Sequence, residues 1–138
     1  DPDGRSAVVH TTGNHEGFLI MRGGRTGTNF DADSINAAGA ALEAKNLRAA
    51  IMVDCNHAQS GGDTDQEEAV WKTVIDQLDT TSKYVVGLLI ESFLEKGRQA
   101  LEVPADMSRL RYGQSVTDAC MGWEDTERML NFTYSQLG

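Results

Sequence analysis

Three apolar runs stand out from a polar background, and each stops abruptly on a polar group. Phe18-Leu19-Ile20-Met21 runs into Arg22-Gly23-Gly24, and Ala49 to Val53 runs into Asp54, Asn56 and His57. Tyr84-Val85-Val86-Gly87-Leu88-Leu89-Ile90 runs into Glu91-Ser92. Short, near-continuous apolar runs predict strands of a buried parallel sheet, here over Gly17 to Arg22, roughly 48 to 55, and about 84 to 90. Between them the period turns helical. Ile35, Ala38 and Leu42 recur at i, i+3 and i+7 behind the N-cap oxygens of Asp31, Asp33 and Ser34, predicting a helix that ends near Asn46. Val70, Val74 and Leu78, widened by Trp71 and Ile75, predict a second helix. Thr64 would open it, with Glu67 three places on in capping-box spacing. Met129, Leu130, Phe132 and Tyr134 mark a last helix from about Glu124.

The remaining segments complete the outline. Ala7-Val8-Val9-His10 predicts a short leading strand, followed by a turn at Thr11 to Asn14. Residues 58–63 are rich in Gly, Ser and Gln and predict a loop. Residues 96–116, with Gly97, Pro104, Tyr112 and Gly113, form a connection long enough to be an excursion over a site. The order βαβαβα predicts an α/β fold with a parallel sheet and right-handed crossovers.

Arg22, His57 and Glu91 end the three runs and lie 35 and 34 residues apart, about one strand-plus-helix unit each. In α/β folds, ligands and chemistry collect at the carboxyl ends of strands. Arg22 offers planar donors to a phosphate or carboxylate, and Gly23 and Gly24 allow close backbone approach; the plainer reading is a surface Arg on a glycine turn. His57, Glu91 and Asp118 form a candidate metal set, an imidazole and two carboxylates suited to Mn²⁺, Fe²⁺, Co²⁺ or Zn²⁺. No local HxxxH-type spacing supports it. A strand-end His can be structural, and Asp118 can be a helix cap. Asp54 either orients His57 or ends its strand. Cys55 and Cys120 read as reduced thiols in or beside core elements, not as a disulfide framework. His10 and His15 flank a turn and are expected in solvent, with Trp71 in the core.

At 138 residues the chain has one domain's worth of core. A complete (β/α)8 barrel needs roughly 250 residues. It opens on Asp1-Pro2-Asp3-Gly4, a loop, which reads as a cut from a longer polypeptide. A formal charge of −9 with no basic stripe argues against nucleic-acid and anionic-membrane partners, but not against phosphorylated substrates. No apolar run nears ~20 residues and no signal peptide is visible, so a cytoplasmic protein is expected.

Four motifs follow one another in register: Leu19-Ile20-Met21-Arg22-Gly23-Gly24; Asp54-Cys55-Asn56-His57-Ala58-Gln59-Ser60; Ile90-Glu91-Ser92-Phe93-Leu94-Glu95-Lys96-Gly97; and Tyr112 through Trp123. Together they resemble the C-terminal part of type I 3-deoxy-D-arabino-heptulosonate 7-phosphate (DAHP) synthase, from about Ala7 onward. The resemblance implies the last three βα units of a (β/α)8 barrel over 18–138, with part of an inserted hairpin over 1–17. It also implies condensation of phosphoenolpyruvate with erythrose 4-phosphate, the first step of the shikimate pathway. Arg22, Gly23 and Asp54 would bind substrate; His57, Glu91 and Asp118 would ligate the metal, with His57 and Asp118 catalytic. Asn56, Gln59 and Phe93 depart from the family pattern, which usually has Ser, Asn and His there. The family's cysteine ligand, catalytic lysine and further arginines belong to the front of the barrel. The partner expected for the chain is therefore that N-terminal half, or a second copy. The alternative is a non-catalytic half-barrel that binds a phosphate or regulatory ligand.

Overall fold

The computed structural model describes residues 3–102 and 106–137. Its main sheet has three parallel strands in chain order: β1 (Leu19–Met21), β2 (Ile51–Asp54) and β3 (Val85–Leu89). Leu19 pairs with Ile51, Met21 with Val53, and Asp54 with Leu89, and the β2–β3 register slips once between Ile51 and Met52. The first crossover runs through α1 (Ala32–Glu43); the second runs through α2 (His57–Ser60), α3 (Thr64–Asp76) and α4 (Leu78–Thr81). After β3 come β4 (Glu95–Arg98), a 3-10 turn at Met107–Arg109, β5 (Gln114–Ser115) and α5 (Trp123–Leu137).

The α/β class and the parallel βα order are as expected. Ile35, Ile51, Val53, Cys55, Val74, Met121 and Met129 form the centre of the core. The periodic positions of α1 and α3, with Met129 and Phe132 of α5, face it or flank it, whereas Leu130 and Tyr134 of α5 are exposed. Gly39 lies against the Tyr84 ring, where a Cβ would overlap the ring atoms, so α1 can pack close to the start of β3 only because of it. Trp71 is buried as expected, and its Nε1–H donates to Thr133 Oγ1 at 2.7 Å, tying α3 to α5.

Four expectations need correction. Residues 7–10 form no strand: they are exposed and unpaired among the described residues, with Val8 85% accessible, because no neighbouring strand lies alongside to satisfy their backbone. The loop expected over 58–63 begins as the helical turn α2. Asn56 Oδ1 takes the His57 N–H at 2.6 Å to start it, and Gly61, at φ +67, stops it. The cap of α3 is Asp63, which accepts from the Asp65 N–H at 2.8 Å; Thr64 is already helical and Glu67 turns inward. The connection over 96–116 is partly ordered by a parallel β4–β5 ladder, Glu95 with Gln114 and Arg98 with Ser115. Pro104 and the first two residues of the opening loop lie outside the described residues. His10 and His15 are exposed, and both cysteines are free thiols.

Candidate metal and phosphate site

The site is built where β2 stops. Asp54, 4% exposed, accepts the Asn56 N–H on Oδ1 at 2.9 Å, which bends the chain out of the sheet. His57 follows at φ +52, a conformation costly for any residue but glycine, held by Asn56 Oδ1 on its own N–H. That geometry turns the imidazole back over the strand end. Its Nδ1 lies 2.8 Å from Asp54 Oδ2, a close contact that is not aligned as a hydrogen bond. Its Nε2 lies 3.5 Å from Glu91 Oε1.

Glu91 sits two residues beyond β3, and its backbone is fixed on both sides. Its N–H donates to Glu67 Oε1 at 2.7 Å, and its carbonyl accepts from the Met121 N–H at 2.9 Å. Asp118 arrives on the bend after β5 and is exposed, with no helix for it to cap. One donor atom from each of His57, Glu91 and Asp118 lies within 4.8 Å of the others. An imidazole with one nitrogen facing Asp54 and the other facing the Glu91 carboxylate, with an Asp118 oxygen close to the set, fits a divalent cation. Beside it opens a cavity of about 390 Å³ bordered by His57, Asp118, Asn56, Gly61, Gly62 and Arg98. Arg98 was not singled out from the sequence, since nothing in a four-residue strand marks one Arg as facing a site.

The Arg22 turn is seated on the same structure. Gly23, at φ +69, approaches α2 so closely that a Cβ would lie 3.0 Å from Ala58 carbons. Arg22 itself is exposed. The two glycine N–H groups expected to face an anion are already spent: Gly23 donates to Asn29 Oδ1 at 3.0 Å and Gly24 to Gly27 O at 2.9 Å. Gly23 therefore shapes the turn that carries Arg22. Gln59, 5% exposed, locks the arrangement by donating to Asn29 Oδ1 at 2.6 Å and accepting the Asn29 N–H at 2.9 Å. The two oxygens of Asp54 face the Asn56 N–H and the His57 ring.

Glu67 is the titratable group the sequence reading passed over. Its carboxyl is fully buried, and burial pushes it up to about 7 against the opposing pull of the Glu91 N–H. The signal was present: Glu67 falls at i relative to Val70, Trp71 and Val74, on the apolar face of α3. Burial, with the Glu67 and Asp54 carboxylates nearby, drives the Cys55 thiol far above its ordinary value, so it stays a protonated core side chain.

A parallel sheet whose three strands run out into Arg22, His57 and Glu91 defines a class: α/β proteins that present polar groups at the carboxyl ends of their strands. The chain belongs to the DAHP synthetase I family, whose sequence pattern matches residues 4–131. It is 42% identical over 131 residues to the phenylalanine-inhibited phospho-2-dehydro-3-deoxyheptonate aldolase of Saccharomyces cerevisiae, covering 92% of this chain and 35% of that protein. The tyrosine-inhibited enzyme of Schizosaccharomyces pombe is 39% identical over 129 residues, covering 93% of this chain and 35% of its own length. The solved structure of the Francisella tularensis phospho-2-dehydro-3-deoxyheptonate aldolase superimposes with a TM-score of 0.83 at 33% identity, over 95% of this chain and 37% of that one. The chain thus spans about a third of the length of the relatives it matches. Among the described residues no helix is long and apolar enough to cross a membrane.

Proposed function

We propose that this chain is the C-terminal part of a DAHP synthase, residues 18–138 supplying the last three βα units of a (β/α)8 barrel and 1–17 part of an insert. The intact enzyme, in the cytoplasm, joins phosphoenolpyruvate to the aldehyde of erythrose 4-phosphate and releases inorganic phosphate. The observation that carries this reading is the convergence of His57, Glu91 and Asp118 within 4.8 Å beside the Arg22 turn, at the strand ends of a family member.

In that reading the Arg22 guanidinium grips the phosphate of phosphoenolpyruvate with paired donors. Gly23 and the Gln59–Asn29 lock aim that guanidinium by fixing its turn on α2. His57, Glu91 and Asp118 would hold a divalent cation (Mn²⁺, Fe²⁺, Co²⁺ or Zn²⁺), which supplies Lewis-acid polarisation of the aldehyde carbonyl when bound. Asp54 keeps Nδ1 of His57 engaged so that Nε2 faces the cation position. Asn56 and Gln59, two of the departures that would favour a non-catalytic half-barrel, are both absorbed: one starts α2, the other locks Asn29.

The reading is tested by Mn²⁺ binding, followed by electron paramagnetic resonance. Specific binding by the chain that disappears in His57→Ala is expected. Binding that survives the substitution would place the cation elsewhere and remove the support for a metal-dependent condensation.

A further inference from the structure

Glu67 occupies a position that should be apolar. It shares a face of α3 with Val70, Trp71 and Val74, and it is fully buried beneath the candidate cation site. The reason lies in how the sheet ends. The last rung between β2 and β3 is Cys55 N–H to Leu89 O at 2.9 Å. The Glu91 N–H, two residues further on, would meet the next rung, but the chain after Cys55 has already turned away into Asn56 and His57. A buried backbone donor left without a partner is destabilising, and here it belongs to the residue whose carboxylate faces His57.

Resting on the cation reading given above, we propose that Glu67 is a positioning residue for Glu91. Its Oε1 replaces the missing rung, accepting the Glu91 N–H at 2.7 Å across 24 residues of sequence. The Met121 N–H holds the Glu91 carbonyl at 2.9 Å from the other side, so the ligand backbone is clamped between α3 and the segment leading into α5. Oε2 has no partner, so the acceptor at Oε1, not the second oxygen, does the positioning. An amide keeps that acceptor; a thioether of the same length removes it and still fills the core.

The experiment compares Glu67→Gln, Glu67→Met and a packing control, Val74→Ala, on the same buried face of α3. Two quantities are read: the Mn²⁺ dissociation constant and the exchange rate of the Glu91 amide hydrogen by NMR. Loss of an outer-shell partner weakens metal binding about 10–100-fold, and that loss is expected for Glu67→Met together with about tenfold faster exchange at Glu91. Glu67→Gln should stay close to wild type in both, and Val74→Ala should lower the melting temperature while leaving both unchanged. The proposal is overturned if Glu67→Met matches Val74→Ala in both readouts. If the unaltered chain holds no Mn²⁺ but Glu91 still loses protection in Glu67→Met, the cation reading falls and the anchoring of Glu91 stands.

Discussion

His57 adopts a backbone conformation that a β-carbon makes costly, and the residues around it explain why it stays there. Asn56 takes its N–H and Asp54 faces its ring, so the strain is held by two neighbours in the same motif. The role of Asp54 was legible as one of two alternatives, because a carboxylate three residues before a candidate ligand is a familiar orienting arrangement. Asp54→Asn keeps the acceptor for the Asn56 N–H and removes the charge beside Nδ1. It should weaken Mn²⁺ binding by about 10–100-fold with little change in folding stability; unchanged affinity would leave Asp54 as a strand terminator only. What holds Gly23 was hidden for a physical reason: its N–H is taken by a side chain six residues on, and no local pattern announces that. Its left-handed backbone and the contact with Ala58 predict that Gly23→Ala costs about 1–3 kcal/mol in chemical denaturation. Combining it with Ala58→Gly should restore part of that by removing the clash but not the backbone strain.

Among the elements, the strands and long helices were legible because apolar runs and a 3.6-residue period are properties of local sequence. What was hidden is what happens between them. A capping-box spacing at Thr64 and Glu67 gave a self-sufficient local explanation, while tertiary contact used Glu67 for Glu91 and left the cap to Asp63. The short turn α2 escaped notice because four residues carry no period. The α3–α5 contact was equally invisible, because both the Trp71–Thr133 hydrogen bond and the Glu68–Arg128 ion pair join residues 60 or more positions apart. Arg128 donates to Glu68 at 2.6 Å and to Asp125 at 2.8 Å. Arg128, then Lys72, holds the Glu68 carboxyl below the usual carboxylate range. A carboxyl lowered in the folded state stabilises the fold above its unfolded value, and that contribution is lost as pH falls through the lowered one. Arg128→Gln should therefore melt below wild type at neutral pH, with the difference closing in acid as Glu68 protonates. The gap should also narrow in high salt, since the pair is partly exposed. A difference that persists in acid would show that the Arg128 stem, not its charge, carries the contact.

At the scale of the whole molecule, the sheet is too open for the sequence that forms it. The runs that form β1 and β3 predict strands buried on both faces, yet Phe18, Leu19 and Ile20 are substantially exposed and Val86 is 55% accessible. Only β2 is flanked on both sides, and β1 has no neighbour on its outer edge among the described residues. The sequence encodes burial that the described residues do not complete, which agrees with a chain spanning about a third of its relatives' length. An unpaired parallel edge beside exposed apolar side chains is a template for association. Studied alone, the chain should sediment as dimers or larger species at micromolar concentration and bind a dye for apolar surface. It should show no phosphoenolpyruvate-dependent condensation. Adding a polypeptide that carries the front of a DAHP synthase barrel should dissolve the self-association, quench the dye and restore turnover together, because all three depend on the same open face. A monodisperse monomer that leaves the dye dark would mean that these strands are satisfied within the chain. Condensation by such a monomer would in turn show that side chains of this chain alone suffice to bind the cation and both substrates.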